Sequence, residues 1–248
     1  VPGSTLGIDA VEAATLRTPD QLEKVVAAAV ERSKAWGEMT GAERAEVLHL
    51  AGDKLAANRA RLMEVAAAEA GKTLDQSDPE VSEAIDFAHY YAELARKLDS
   101  VDGATFVPSR LTVVTPPWNF PVAIPAGSTL AALAAGSAVV IKPAKQARRT
   151  GAVMVEAIWE AFDEAGIPRD VLQLVQLEER DLGRQLISHP AVDRVILTGG
   201  YETAELFRSF RPDLPLLAET SGKNAIIVTP SADFDLAAKD VVQSAFGH

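Results

Sequence analysis

The sequence contains no cysteine and only four histidines among its 248 residues. This composition excludes disulfides and thiolate metal sites, and we expect no structural zinc site, because such sites are built from cysteine and histidine. Long basic runs are also lacking. The formal net charge is −11 and no basic run is longer than a pair such as Arg148-Arg149. Nucleic-acid binders need a basic face that neutralises phosphates, so a nucleic-acid partner is not expected.

Apolar runs long enough to cross a membrane are missing as well. A spanning helix needs about 20 consecutive apolar residues. The stretch from Val122 to Ile141 is the best candidate, but it is interrupted by Pro125, Gly127, Ser128 and Gly136. No signal peptide, internal repeat or low-complexity segment is recognisable. Because 48% of the residues are apolar, the chain can bury a sizeable core, and we expect a cytoplasmic, cofactor-dependent enzyme.

Helical periodicity dominates residues 1–104. The segments 18–21 (TPDQ) and 40–43 (TGAE) both have the pattern of a capping box, which predicts that a helix begins at each. A third helix is predicted over Arg59–Ala70, ended by a glycine, and a fourth is predicted to begin at Asp78-Pro79. Apolar residues at helical spacing in these segments predict faces that pack into a core.

From Thr105 onward, strand-like runs alternate with helical runs. This alternation is typical of right-handed crossovers around a mostly parallel sheet, so the sequence predicts an α/β fold. The predicted strands are Leu111–Thr115, Ala138–Ile141, Val171–Val175, Val195–Thr198, Leu214–Ala218 and Ala225–Val228. The predicted helices are Val122–Ala135, Thr150–Ala165, Glu179–Ser188 and Glu202–Phe210. Ligands of such folds bind outside the carboxyl ends of the strands.

The loop PPWNFP (residues 116–121) follows the first of these strands. Proline restricts its own backbone and that of the preceding residue, so this loop has few conformations. One interpretation is a rigid turn whose aromatic side chains fill the core. The other is a rigid support that aims the side chain of Asn119. The residues alone leave both interpretations open.

Three further strand ends carry polar residues or glycines. Lys142 is either a solvated strand end or a ligand of ribose hydroxyls or a phosphate. The pair Gly199-Gly200 is either an ordinary turn or a point where a pyrophosphate approaches backbone N–H groups. Glu219, after an apolar run, is either structural or a general base whose pKa is raised by partial desolvation.

The order of these motifs resembles the aldehyde dehydrogenase superfamily over essentially the whole chain. The motifs are LTVVTPPWNFPVAIPAGSTLAALAAGSAVVIKPAKQ, VILTGG and LLAETSGKNAIIV. The segments FRPDLPLLAETSGKNAIIV and QSAFGH are most similar to L-glutamate γ-semialdehyde (Δ1-pyrroline-5-carboxylate) dehydrogenases, including the module of bacterial bifunctional proline-utilisation proteins. The resemblance implies a Rossmann-like fold, NAD as cofactor, and oxidation of L-glutamate γ-semialdehyde to L-glutamate in proline catabolism through a cysteine thiohemiacetal.

The resemblance also implies roles for individual residues. Asn119 matches an amide that stabilises the oxyanion formed at the aldehyde, and Glu219 matches the base that activates water to hydrolyse the thioester. Phe120 resembles a wall of the aldehyde tunnel. Glu83 matches a carboxylate near the substrate, although a solvated helix position is the alternative. The implied cofactor-binding residues are Thr115, Pro117, Trp118, Lys142, Lys145, Gly199 and Gly200.

Two departures from the family pattern alter these expectations. Many members carry an acidic residue where this chain has Lys145, and a lysine cannot accept hydrogen bonds from ribose hydroxyls. We therefore expect weaker discrimination for NAD, with the 2′-phosphate of NADP tolerated. The second departure is the missing cysteine nucleophile, which the family carries a few residues after the AFGH segment. The chain alone is therefore expected to be inactive.

We accordingly expect a fragment that lacks most of the catalytic domain. Residues 1–104 are predicted to be the helical N-terminal part of the cofactor-binding domain, and residues 105–248 its Rossmann-like NAD(P)-binding region. The resemblance implies a homo-oligomeric parent, with fusion to a proline dehydrogenase domain as one form. The alternatives are a dehydrogenase for another carboxylated aldehyde, such as succinic semialdehyde, and a non-catalytic dinucleotide-binding module.

Overall fold

A computed structural model describes residues 3–247. The strands are β1 (Thr15–Leu16), β2 (Leu111–Thr115), β3 (Ala138–Ile141), β4 (Leu172–Leu174), β5 (Gln176–Leu177), β6 (Arg194–Gly199) and β7 (Leu216–Thr220). Five of them form one sheet in the order β4-β3-β2-β6-β7, and β1 pairs with β5. Every neighbouring pair is parallel. The predicted α/β class with a parallel sheet is confirmed.

The helices of the first hundred residues are α1 (Ile8–Ala13), α2 (Pro19–Glu38), α3 (Gly41–Ala57), α4 (Arg59–Ala70) and α5 (Leu74–Leu98). Both predicted capping boxes are confirmed. The Thr18 hydroxyl accepts from the Gln21 N–H while Gln21 accepts from the Thr18 N–H. Thr40 and Glu43 do the same at the start of α3. These contacts satisfy N–H groups that a helix start leaves unpaired.

The prediction that the fourth of these helices begins at Asp78-Pro79 is wrong. α5 begins at Leu74, and Pro79 lies inside it. A proline removes one helical hydrogen bond, but Ser77, two residues before it, and Glu80, directly after it, are buried and pack into the protein. Burial of this helix face therefore outweighs the local signal of the proline.

The remaining helices are α6 (Ala123–Ala134), α7 (Arg148–Ala165), α8 (Arg180–Ser188), α9 (Tyr201–Phe210) and α10 (Phe234–Phe246). The first four match the predicted helices to within two residues. α1, α10 and the two-stranded β1–β5 pair were not predicted. Two of the predicted strands also differ in their bounds from the structure. Val171–Val175 is shortened to β4, and Leu214–Ala218 is displaced to β7.

A predicted strand at Ala225–Val228 is wrong. Residues 221–229 have no regular structure and are exposed. β7 is the edge of the sheet, so no described strand lies where this apolar run would pair. Sequence preference for a strand cannot substitute for a partner, because an isolated strand leaves its backbone groups without ladder hydrogen bonds.

Two hydrophobic clusters cover the two faces of the sheet. On one face, Val114 packs with residues of α3 to α7 such as Leu48 and Phe162. On the other, Val113 packs with residues of α2, α8 and α9 such as Leu22. Successive strand residues point to opposite faces, and both faces are covered, as in other parallel sheets. No helix within residues 3–247 combines the length and hydropathy that a membrane-spanning segment needs.

Two buried side chains tie the end of α6 to the end of α2. The Arg44 guanidinium donates through Nε to the Ala134 carbonyl at 3.0 Å and through Nη1 to the Met39 carbonyl. The Trp36 indole donates to the Leu133 carbonyl at 3.0 Å. Carbonyls at a helix C-terminus lack partners within the helix, so these bonds satisfy groups that would otherwise be buried unpaired.

We predict that Gly41→Ala is strongly destabilising and that Gly183→Ala is not. A Cβ at Gly41 would lie 1.9 Å from the Ala95 carbonyl oxygen, whereas a Cβ at Gly183 meets nothing within 4 Å. We expect a loss of about 3 kcal/mol for the first and a gain of roughly 0.5–1 kcal/mol for the second, since alanine is the better helix former. Urea unfolding of both variants measures this difference, and equal midpoints would contradict the close approach of α3 to α5.

Candidate active site

The order of the strands opens a crevice at one edge of the sheet. From β2, the chain builds β3 and β4 on one side, and β6 and β7 then form on the other. Adjacent loops therefore diverge between the carboxyl ends of β2 and β6, which is the switch point where parallel sheets bind ligands. A cleft of about 710 Å³ lies there, lined by the loops that follow β2, β3, β6 and β7.

Most of the residues that the sequence analysis selected line this cleft. They are Thr115, Pro117, Trp118, Asn119, Phe120, Lys142, Gly199, Gly200 and Glu219. Two selected residues do not line it. Lys145 is exposed in a short 3-10 helix, and Glu83 is exposed on α5. The structure thus brings the oxyanion, base and glycine candidates together and leaves Glu83 outside.

Several lining residues were missed by the sequence analysis. They are Pro116, Ile124, Ala144, Leu197, Thr198, Thr203, Phe207, Thr220 and Ser221. Most are direct neighbours of a selected motif. Thr203 and Phe207 follow Gly200 at helical spacing, so the face of α9 that continues the glycine pair was a usable signal.

The side chains of the loop 116–121 separate the two interpretations of PPWNFP. Trp118 is 49% exposed, so it does not fill the core. Asn119 is half-buried, and its side-chain amide makes no hydrogen bond to the described residues. Its backbone carbonyl accepts from Lys72 Nζ at 3.2 Å. Lys72 thus fixes the backbone of Asn119, while the N–H donors of the Asn119 side chain stay unpaired within the described residues, beside the cleft.

Two carboxylates from the helical layer cap the helices that follow β2 and β3. Glu80 Oε1 accepts from the N–H groups of Val122 and Ala123 at 2.7 and 3.1 Å, at the start of α6. Glu69 accepts from the N–H groups of Arg149 and Thr150 at 2.8 and 2.7 Å, at the start of α7. Negative charge at a helix N-terminus is favourable. The N-termini of α6 and α7 are therefore each capped by a carboxylate of the protein itself.

The helix that follows β6 begins differently. Its N-cap is Gly200, which has no side chain, and the N–H of Tyr201 makes a long 3.4 Å bond to Ser221 Oγ. Within the described residues, no carboxylate caps this start as Glu69 and Glu80 cap the other two. The N-terminus of α9 therefore faces the cleft without a carboxylate bonded to its N–H groups, although Glu202 lies in its first turn.

Three cationic side chains gather after β3. Burial, followed by the positive charges of Arg148 and Lys145, lowers the pKa of Lys142 from its ordinary value. Arg148 Nε is buried and has no hydrogen-bond partner among the described residues. An uncompensated group of cations at the edge of a cleft attracts anionic ligands.

Glu219 does not have the environment that the sequence suggested. The apolar run before it predicted partial desolvation of the carboxylate, but the side chain is exposed. The reason is that Glu219 lies in β7 at the edge of the sheet, beside Thr198 of β6 and with no described strand on its other side. The described residues therefore place this carboxylate at the cleft without burying it.

No three histidine, aspartate or glutamate side chains in residues 3–247 are grouped so that they could hold a metal ion. The cleft residues instead suit an organic anion. Its volume lies within the roughly 300–1,000 Å³ of typical ligand sites, and its polar groups include a lysine, an unpaired amide and a helix start.

Comparison with known proteins gives a consistent result. Residues 9–248 match the family model described as "Aldehyde dehydrogenase family". The bifunctional protein PutA of Escherichia coli is 38% identical over 238 residues, which cover 92% of this chain and 18% of that protein. The 1-pyrroline-5-carboxylate dehydrogenase of Bacillus licheniformis is 34% identical over 248 residues, which cover 93% of this chain and 47% of that protein.

A solved structure is similar over the same region. Proline utilization A from Corynebacterium freiburgense superposes with a TM-score of 0.83 at 48% identity, covering 94% of this chain and 24% of that one. The chain spans about half the length of the Bacillus licheniformis protein and less than a fifth of the Escherichia coli protein.

We predict that Lys142→Met raises the free energy of unfolding at pH 7. The lowered pKa means that the folded state disfavours the charged lysine. This cost is fully present below the folded-state pKa and is lost as the pH rises from there to the ordinary lysine pKa of the unfolded chain, so the gain should shrink at alkaline pH. Urea unfolding between pH 7 and 10 measures it. Lys145→Met, at an exposed position, should change stability by less than about 0.5 kcal/mol, and a destabilised Lys142→Met would contradict the assignment.

Proposed function

The chain belongs to the aldehyde dehydrogenase family, and on this premise we propose that it supplies the cofactor cleft, the oxyanion donor and the general base of an NAD(P)-dependent L-glutamate γ-semialdehyde dehydrogenase. The observation that carries the proposal is the convergence of Asn119, Glu219 and Gly199-Gly200 on one cleft at the switch point of the sheet. The names of the relatives, 1-pyrroline-5-carboxylate dehydrogenase and proline utilization A, support the choice of substrate.

The glycine pair supports a bound dinucleotide. Neither Gly199 nor Gly200 has a positive φ. A Cβ at Gly199 would meet only Leu197 Cδ1, at an ordinary 3.6 Å, and a Cβ at Gly200 would meet the flexible end of Glu202 at 3.2 Å. Backbone conformation and packing therefore do not demand glycine here. Close approach of a ligand to the backbone does, and the pyrophosphate is the group that suits the start of α9.

The cations after β3 support the nucleotide half of the site. In the proposal, Lys142 lines the cleft and binds the hydroxyls of the adenosine ribose. Lys145 and Arg148 add positive charge beside it. This charge favours the 2′-phosphate of NADP as well as NAD, and Lys145 cannot accept ribose hydroxyls as a carboxylate would. The proposal therefore includes use of both dinucleotides.

The reaction assigns a different task to each remaining residue. The Asn119 amide donates to the aldehyde oxygen as negative charge develops there, and its held backbone means that little reorganisation is needed. A nicotinamide dinucleotide held in the cleft by Lys142 and the Gly199-Gly200 backbone would supply the hydride acceptor for the substrate carbon. Glu219 then takes a proton from the water that hydrolyses the acyl group. A thiol nucleophile is also required, and because this sequence contains no cysteine, it has to come from residues other than these 248.

For the whole protein, the proposal includes a cytoplasmic location, a homo-oligomer, and proline catabolism as the role. The bifunctional relative supports a proline dehydrogenase domain fused to the same chain. The absence of cysteine favours one alternative, a dinucleotide-binding module without catalysis. Such a module has no use for the unpaired Asn119 amide, and for that reason we prefer the enzyme.

We predict that Lys145→Glu shifts dinucleotide preference toward NAD. The new carboxylate repels the 2′-phosphate and accepts ribose hydroxyls, so the ratio of the NADP to the NAD dissociation constant should rise about tenfold, equivalent to about 1.4 kcal/mol. Titration of NADH and NADPH fluorescence measures both constants. Lys24→Glu, an equal change of charge on α2, should leave the ratio unchanged. A strong NAD preference in the unmodified chain that Lys145→Glu does not alter would contradict the proposed role.

We predict that the 248-residue chain alone oxidises no aldehyde, because it carries no thiol. Within the whole protein, Asn119→Ala is expected to lower kcat roughly 100-fold or more through loss of an oxyanion donor, with little change in the KM for the dinucleotide. Parallel assays with L-glutamate γ-semialdehyde and succinic semialdehyde measure this effect and identify the substrate. Turnover by the isolated chain, or a higher kcat/KM for succinic semialdehyde, would contradict the mechanism or the substrate, respectively.

A further inference from the structure

We propose that Lys72 and Glu80 are positioning residues for the loop 116–121, and that this buried ion pair sets the orientation in which Asn119 and Trp118 are presented to the cleft. The inference rests on the proposed function for the meaning of that orientation. Lys72 Nζ lies 3.0 Å from Glu80 Oε2, and the two side chains are only 6% and 2% exposed. Neither residue lines the cleft.

The position of Lys72 follows from the turn that ends α4. Gly71 is left-handed, with φ of 71°, and the Lys72 N–H donates back to the Ala66 carbonyl at 3.3 Å. The Gly71 N–H donates to the same Ala66 carbonyl, and the two bonds together fix the backbone of Lys72 against the end of the helix. The side chain passes from there into the protein, where its ammonium lies 4.6 Å from the centre of the Phe120 ring and 3.2 Å from the Asn119 carbonyl oxygen.

Glu80 reaches the other end of the same loop. It lies on the buried face of α5, and its Oε1 accepts from the N–H groups of Val122 and Ala123. Its Oε2 faces Lys72. One carboxylate therefore connects the start of α6 to the cation that holds the middle of the loop.

The pair consequently holds the loop on both sides of Phe120. Lys72 holds the Asn119 carbonyl, Glu80 holds the residues after Pro121, and the prolines restrict what lies between. A buried ion pair is weak evidence for stability, because replacing both partners with neutral groups often costs little. The contacts of this pair on both sides of Phe120 instead indicate that it orients the loop, and this role can be tested separately from stability.

The test uses the intact 248-residue chain labelled with 5-fluorotryptophan. The chain has three tryptophans, so fluorine NMR should give one resonance each for Trp36, Trp118 and Trp159, and loss of a signal in Trp118→Phe assigns the loop. We expect Lys72→Met and Glu80→Gln to shift or split the Trp118 resonance while the other two resonances stay in place. Unchanged Trp118 resonances in both variants would overturn the proposal.

Glu69→Gln is the matched control. Glu69 also caps a helix start through two backbone N–H groups, but it caps α7 and makes no bond to the loop. The same substitution there should leave the Trp118 resonance unmoved. A shift as large as that of Glu80→Gln would show that any lost helix cap disturbs the loop and would also overturn the proposal.

The double variant Lys72→Met/Glu80→Gln separates positioning from stability. It leaves no lone buried charge, so it should unfold at a higher urea concentration than either single variant. If the pair positions the loop, the Trp118 resonance remains displaced although stability recovers. Recovery of stability and of the resonance together would mean that the pair has only a structural role. Neither readout needs cofactor or aldehyde, so failure of dinucleotide binding would contradict the proposed function without affecting this result.

Discussion

Parallel pairing of the five strands is the constraint on which the site depends. In a parallel sheet every strand ends at the same edge, so the loops after β2, β3, β6 and β7 all meet there. After β2 the chain adds β3 and β4 on one side of it, and then β6 and β7 on the other side. The loops after β2 and β6 therefore diverge, and the cleft opens between them. Helices on both faces are needed to hold such a sheet, and two of them contribute the carboxylates that cap α6 and α7.

Much of this arrangement could be predicted from local sequence. The capping boxes at Thr18 and Thr40 are satisfied by neighbouring residues, so a short segment contains the whole signal. Asn119 and Gly199 each follow a predicted strand of a parallel sheet, so their position at the same edge of the sheet could be expected from the strand pattern. The exposure of Glu219 and the loss of the predicted strand at Ala225–Val228 could not be predicted, because both depend on what lies beside the edge strand.

The contacts of the Lys72–Glu80 ion pair with the loop 116–121 could not be predicted from local sequence either. Lys72 and Glu80 are near each other in sequence, but their partners are Asn119, Val122 and Ala123, which only the tertiary fold brings to them. The site thus divides into groups that face the cleft and groups that hold them from behind. Sequence motifs identify the first kind, because the chemistry restricts the residue type. The second kind is recognised by buried charge with specific partners.

The central strand also determines the order in which the protein can fold during synthesis. β2 pairs with β3 through Val113 and Val140, which are close in sequence. The other edge of β2 pairs with Val195 of β6, which is synthesised much later. Pairing of distant segments is slow because the intervening chain has to close first. While the ribosome adds the residues from β3 to β6, one edge of a strand that is wholly buried in the complete fold stays open. A chaperone that shields a strand edge would act in that interval.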